Sequence, residues 1–289
     1  MREPQKRSAT SGLPPSLSEV VAGIVKRREN TEEATQRLET GLPGFDLMTG
    51  GGLRHSSVIV IGGPPGFGKT SFVTQVGVKA ARDGWTVYFV TLELMVEEVV
   101  ARMLAPIVGS SWPEVLETVS VERIQQAAAQ LDGARFFIDD RPVVKEGEIR
   151  SRALAVSKQA PGPLLVVVDY LQRTKLQAAE RRHGVAEAAY DLRTTANDLG
   201  CLVLAVSSVN RQAYDGKGSV GSFKESGDIE FSADVAAIMD RTDSGEHILR
   251  VVKNRLGRIG DLKVIFDGRL GVIEELTVVP GATRGSRRR

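Results

Sequence analysis

Cysteine is all but missing from this chain: Cys201 is the only one in 289 residues. That excludes an internal disulfide and any cysteine-rich metal centre. Cys201 lies in an apolar run and reads as a small buried hydrophobe, and the reducing cytoplasm is the compartment that such cysteine use suggests. Long hydrophobic runs are missing too. No stretch approaches the roughly 20 apolar residues of a membrane span. The start, Met1-Arg2-Glu3-Pro4-Gln5-Lys6-Arg7, has no apolar segment behind its charges and does not read as a signal peptide. Nor is there a large excess of charge. The formal net charge is +2, too small to imply a nucleic-acid partner, so the placement of the cations matters more than their number. What is present, 42% hydrophobic and 26% charged residues, suits a globular α/β domain with extensions, or two small domains.

The most informative stretch is Gly62-Gly63-Pro64-Pro65-Gly66-Phe67-Gly68-Lys69-Thr70-Ser71. It follows the apolar run Val58-Ile59-Val60-Ile61 and leads into a helical pattern from Ser71 to Ala81. From Gly63 to Thr70 the spacing is G-x-x-x-x-G-K-[ST], the P-loop pattern in its strand–turn–helix context. Glycines let the backbone of residues 63–71 wrap so that its N–H groups, which Pro64 and Pro65 lack, point at phosphate oxygens, and the helix N-terminus adds further unpaired N–H groups. Lys69 supplies charge to the β- and γ-phosphates of a nucleoside triphosphate, and the Thr70 hydroxyl a ligand for Mg²⁺.

Along the chain, residues 1–15 read as a flexible tail rich in proline and small polar residues. Ser16-Leu17-Ser18-Glu19 fits a capping box that opens a helix with one apolar stripe: Leu17, Val20, Val21, Ile24 and Val25. So short a helix needs a surface for its stripe, on its own domain or on a neighbouring subunit. Residues 16–38 read as this helix and a connector, residues 39–278 as the domain that carries the P-loop, and residues 279–289 as a basic disordered tail. Strands at 85–91, 135–140, 164–169 and 201–207 alternate with helices at 96–107, 121–131, 146–158 and 184–199. Residues 211–230 read as a Gly-rich mobile loop, and short strands pair off from Ala233 onward. The expected fold is a mainly parallel twisted sheet with helices on both faces and a β-rich C-terminal extension.

Ligands of such sheets bind at the C-terminal strand ends. Asp169 ends the run Leu164-Leu165-Val166-Val167-Val168 and has the form of a Walker B carboxylate, although a carboxylate capping the next turn would look the same. Glu93, at the end of the strand that follows the P-loop helix, is a candidate base for the attacking water. Ser207 and Ser208 end the strand at 201–207, where a polar group can sense the γ-phosphate. Lys253 and Arg255 stand two apart, on one side of a strand. They could grip one phosphate-rich object, complete a neighbour's site, or simply protect an edge strand.

These segments together resemble one family, the C-terminal motor domain of DnaB-type hexameric replicative helicases, within the RecA-like ATPases. The resemblance spans about residues 16–275. Thr40-Gly41-Leu42-Pro43-Gly44-Phe45-Asp46 with Gly50-Gly51-Gly52 matches the family's lead-in, and Thr91-Leu92-Glu93-Leu94 its catalytic-glutamate segment. Ile138-Asp139-Asp140 with Glu148-Ile149-Arg150-Ser151-Arg152-Ala153 matches a strand and the helix after it. Asp169-Tyr170-Leu171-Gln172 is the most discriminating signature. Glu225-Ser226-Gly227-Asp228-Ile229-Glu230 with Ala233-Asp234, and Lys253-Asn254-Arg255, complete the set in order.

The resemblance implies an ATP-dependent DNA helicase acting in DNA replication as a homo-oligomeric, hexameric ring. It implies Glu93 as base or water positioner, Lys69 on the phosphates, and Arg255 as an arginine finger in trans with Lys253 beside it. Mg²⁺ would lie on Thr70 and Asp169. The helix at 16–28 would dock on the adjacent protomer. Single-stranded DNA would be tracked by two cationic loops, one with Arg173, Lys175, Arg181 and Arg182, the other with Arg211, Lys217 and Lys224. A replication initiator, loader or primase would be the protein partner, and no membrane. Two departures stand out. Only about 15 residues precede the linker helix, where the family carries an N-terminal collar domain, so the collar is expected to be missing. Ser208 stands where the family has a nucleotide-sensing glutamine and is too short for the same reach. A KaiC- or RadA-like regulatory or recombination ATPase shares the core, but its paired glutamates are replaced here by Glu93 and Leu94. A non-unwinding DNA-binding adaptor that loads another helicase is the third reading.

Overall fold

A computed structural model of the chain describes residues 16–29, 37–141, 147–169, 181–207 and 232–276. A two-residue ribbon, β1 (Arg37–Leu38) against β2 (Leu53–Arg54), precedes a nine-stranded sheet. The strands β3 (Val58–Gly62), β4 (Thr86–Thr91), β6 (Leu164–Asp169) and β7 (Leu202–Val206) are buried at every position. Continuous burial explains why these runs show no polar alternation: both faces of the sheet are covered. With β5 (Phe136–Asp139) and β8 (Val235–Arg241) they form the parallel order β5-β4-β6-β7-β3-β8.

Alternate residues feed two cores. Ile59, Ile61, Val87, Phe89, Leu165 and Val167 pack with Phe72, Val73 and Val76 of α3 (Lys69–Arg82) and Val99 and Met103 of α4 (Val96–Val108). Val58, Val60, Val90, Val166 and Val168 pack on the other side with Ile149 and Ala153 of α7 (Glu148–Gln159) and Leu192 and Ala196 of α8 (Arg181–Leu199). A third, small cluster joins α4 to α5 (Trp112–Glu117) and α6 (Val121–Ala129) through Leu104, Val115 and Ala127. No helix among the described residues is long and apolar enough to cross a membrane.

The structure differs from the sequence expectation at several points. The apolar pattern groups the stretch from Ala233 with the β-rich extension. Instead β8 lies parallel beside β3, because its first six residues are buried and require cover on both faces. The extension proper is antiparallel: β9 (His247–Asn254), β10 (Gly260–Asp267) and β11 (Val272–Glu275). The lead-in from Thr40 to Gly52 contains a short helix, α2 (Pro43–Met48), and α5 lies between the helices expected at 96–107 and 121–131. Arg181 and Arg182, expected in a DNA-tracking loop, are the first two residues of α8.

The lead-in pattern has a structural basis. Asp46 of α2 is buried and accepts hydrogen bonds from the Thr40 N–H (2.9 Å) and the Thr40 hydroxyl (2.8 Å). Its own carbonyl accepts the Gly51 and Gly52 N–H groups. The threonine, the aspartate and the glycines thus tie one turn that delivers the chain to β3. At the other end, α1 (Leu17–Glu29) begins with the expected capping box: the Ser16 N–H donates to Glu19 Oε2 (2.7 Å) and the Glu19 N–H to Ser16 Oγ (3.3 Å). Leu17, Val20, Val21 and Val25 of its stripe are exposed.

Candidate nucleotide-binding site

The P-loop turns where β3 ends and α3 begins. Two of its glycines are required by space as well as by conformation. Gly63 has φ 149°, and a Cβ there would lie 2.7 Å from the Met239 carbonyl oxygen. Gly68 is the N-cap of α3 with φ 85°, and its Cβ would meet the Phe266 ring at 2.9 Å. The loop is thus clamped by Met239 of β8 and Phe266 of β10. Pro65 and Gly66 are exposed, Ser71 is buried, and Lys69 Nζ spans the loop to donate to the Pro64 carbonyl (2.8 Å). Behind the loop, the Arg241 guanidinium lies 5.1 Å from the centre of the Phe67 ring, and His247 meets the same ring edge-on. No sequence signal announces this wall, because its members are scattered over three strands and share no spacing.

Strand order decides what meets the loop. Because β7 lies between β3 and β6, the C-terminal ends of β3, β7 and β6 open side by side, the position where such sheets bind ligands. Ser207 is buried at the end of β7 and donates its N–H to the Ile61 carbonyl. Asp169 ends β6, is 3% exposed, and accepts a hydrogen bond from the Thr70 hydroxyl. Burial, joined by the charge of Glu93, pushes its carboxyl up to about 6, against the Thr70 hydrogen bond and the charge of Lys69. Burial likewise lowers the Lys69 ammonium, and Asp169 and Glu93 oppose that shift.

Glu93 stands two residues beyond β4, not at its end, on a turn fixed from two sides. The Leu92 N–H donates to the Asp169 carbonyl (2.8 Å), and the Leu94 N–H to Thr91 Oγ1 (3.0 Å). Its side chain is exposed. Glu93, Lys69, Thr70 and Asp169 therefore come from distant stretches of chain to one strand-end cleft.

Lys253 and Arg255 do not join them. β9 runs antiparallel to β8, with Asn254 opposite Val235, and Val235 stands beside Ile59 near the start of β3. The P-loop leaves the other end of that five-residue strand, about 13 Å away at the usual strand rise. Lys253 is half-buried within β9, whereas Arg255 lies one residue past its end, where the side chain is 53% exposed. Arg255 and the P-loop of its own chain stand at opposite ends of the sheet. Arg173, Lys175, Arg211, Lys217, Lys224 and Ser208 lie outside the described residues.

The family model for the DnaB-like helicase C-terminal domain matches residues 37–275, which takes in every described element from β1 to β11. The chain belongs to this family. Among its curated relatives is the replicative DNA helicase DnaB of Geobacillus stearothermophilus, 27% identical over 262 residues. That match covers 84% of this chain but 57% of the relative. The replicative helicase DnaC of Bacillus subtilis matches at the same identity, over 59% of its length. The chain thus spans well under two thirds of these DnaB-type relatives. Among solved structures, a DnaB-like replicative helicase studied for its interactions with primase superimposes with a TM-score of 0.76 at 21% identity, over 93% of this chain and 68% of that one. A solved ATPase domain reaches a TM-score of 0.81, also at 21% identity, over 92% of this chain and all of that one. At that identity the likeness speaks for the fold alone: a mixed α/β fold with a large, mainly parallel sheet.

Proposed function

We propose that this DnaB-family chain is an ATP-driven DNA helicase or translocase that hydrolyses Mg-ATP at subunit interfaces and moves on single-stranded DNA during replication. The observation that carries the reading is the division of the site. Lys69, Thr70, Glu93 and Asp169 converge at one end of the sheet, and Arg255 projects from the other. A finger so placed serves only the next subunit, and a head-to-tail contact of this kind makes a ring where its rotation closes. Six subunits is the size proposed. In this site Lys69 holds the β- and γ-phosphates, and Glu93 accepts a proton from the attacking water. Thr70 and Asp169 set two hard oxygen donors side by side, the small protein share that Mg²⁺ takes beside phosphates and water. Arg255, with Lys253 beside it, stabilises the charge that develops on the transferred phosphoryl group of the neighbour.

The linker helix fits the same assembly. A shallow apolar groove of about 260 Å³ opens between α4, α5 and α6, lined by Val96, Val100, Leu104, Val115, Leu116 and Ile124, with Glu97 on its rim. The exposed stripe of α1 has the apolar character to fill it, and the basic run Lys26-Arg27-Arg28 in the same helix is opposite in charge to Glu97. We assign this groove to the α1 of an adjacent subunit. DNA contact falls to the cations of residues 173–182 and 211–224, and a loader, initiator or primase is the partner class that completes a replication role.

Three measurements test the reading. Lys69→Ala should lower ATP turnover by about 10²–10³-fold or more; turnover at the wild-type rate refutes the P-loop assignment. Arg255→Ala subunits mixed with Glu93→Gln subunits should regain turnover that neither has alone, and no gain in a verified mixed oligomer refutes the finger in trans. A purified oligomer that neither binds single-stranded DNA nor opens a forked duplex with ATP is not a helicase.

A further inference from the structure

Arg255 leaves β9 beside a buried carboxylate that none of the nucleotide-site residues uses. Asp234 directly precedes β8. Its N–H donates to the Val58 carbonyl (2.8 Å), and its carbonyl accepts the Arg255 N–H (2.8 Å), so the backbones of the two residues are joined. Its carboxylate faces three donors from three elements. Oδ2 accepts the Val58 N–H of β3 at 2.9 Å and lies 2.9 Å from Arg193 Nη1 of α8. Oδ1 lies 3.8 Å from Arg255 Nη1. Arg193 is itself anchored: its Nε donates to the Ser232 carbonyl at 3.0 Å, and its Nη2 donates to the same oxygen. The guanidinium therefore grips the chain on both sides of Ala233 and holds Asp234 in one orientation.

The Asp234–Arg255 contact is long and half in water, so it adds little to stability. Its value lies in direction. An arginine on an exposed strand end samples many rotamers, whereas a fixed carboxylate on one side restricts them. Donors set in place beforehand need not reorganise during reaction, and a misplacement of about 1 Å can cost on the order of 10²-fold in rate. We propose that Asp234, locked by Arg193, is a positioning residue that aims Arg255 at the nucleotide site of the next subunit. The inference rests on the trans-acting reading of Arg255 given above.

A purely structural role for Asp234 makes a different prediction. The same carboxylate caps the start of β3, the strand that leads to the P-loop, so structural damage would spoil the site of its own subunit. Subunit mixing separates the two. Asp234→Asn keeps an acceptor for the Val58 N–H and removes the charge beside Arg255. In the full-length oligomer it should lower kcat by about 10–100-fold and leave the KM for ATP unchanged. Mixed with an equal amount of Glu93→Gln, it should regain turnover, since about one interface in four joins an intact site to an intact finger at random assembly. Turnover no higher than the sum of the two parents overturns the proposal. The Arg255→Ala and Glu93→Gln mixture run in parallel locates the fault. Recovery there without recovery for Asp234→Asn refutes the positioning role alone; recovery in neither refutes the finger in trans and the positioning role with it. If Asp234→Asn does not fold, Arg193→Gln replaces it in the same mixture, because it frees Asp234 without removing the cap on Val58, and failure to recover turnover counts equally against the proposal.

Discussion

Burial and the charge of Glu93 hold the Asp169 carboxyl up to about 6, against an ordinary value of 3.8. The folded chain therefore binds this proton more tightly than the unfolded chain does. Between those two values the folded state carries the extra proton, so stability falls as pH rises through that window and stays lower above it. The full difference is about 3 kcal/mol at most, since one pKa unit corresponds to about 1.4 kcal/mol. Asp169→Asn removes the charge and keeps an acceptor for Thr70. Without nucleotide it should be more stable than the wild type at pH 8, by up to that amount, and the gain should vanish near pH 4. Urea denaturation at both pH values measures it. ATP turnover by the same variant should be lost, which would mark Asp169 as a residue kept for chemistry at the expense of stability.

At the scale of elements, the P-loop depends on what lies behind it. Gly68 meets two demands, a left-handed φ and the closeness of the Phe266 ring. Gly68→Ala should destabilise the fold by about 1–3 kcal/mol and weaken ATP binding. Adding Phe266→Leu should restore part of the stability, since it relieves the contact but not the φ, and fluorescent-nucleotide titration beside thermal melting would show both effects. The lead-in turn makes a second test. Thr40→Val takes the hydroxyl donor from buried Asp46 and leaves the Thr40 N–H bond. A loss of about 1–2 kcal/mol is expected, with little change in kcat, because the turn positions β3 without touching the nucleotide cleft. The lead-in is legible in the sequence as a pattern. Its reason is not, because the bonds that join Thr40, Asp46 and the glycines depend on the helix α2, which six residues with a leading proline do not announce.

For the whole molecule, the question is what one chain lacks. Arg255, on the far side of its own sheet from the P-loop, and an apolar helix face left exposed in its own fold both fit the second copy proposed above. Leu116→Asp, in the groove between α4, α5 and α6, should leave folding intact and shift the oligomer toward monomer, which mass measurement with and without nucleotide would detect. An unchanged oligomer would place α1 elsewhere. Much of the architecture is readable in advance, because buried parallel strands carry unbroken apolar runs and helices carry stripes. The position of β8 is not. A short apolar strand that closes a parallel sheet and one that opens an antiparallel extension look alike until the neighbouring strand is known.

The sequence alone determined the chemistry on offer: the P-loop, a carboxylate at the end of an apolar strand, a glutamate after another, and a lysine–arginine pair near the end. Those signals are local, since each needs only its own strand or turn to be recognised. Tertiary structure decided which of them meet. It inserted β7 between β3 and β6, brought Thr70 onto Asp169, tied the Glu93 turn to β6, and carried Arg255 to the far end of the sheet beside Asp234. Strand order and direction are set by the packing of residues far apart in the chain, and no spacing within one segment encodes them.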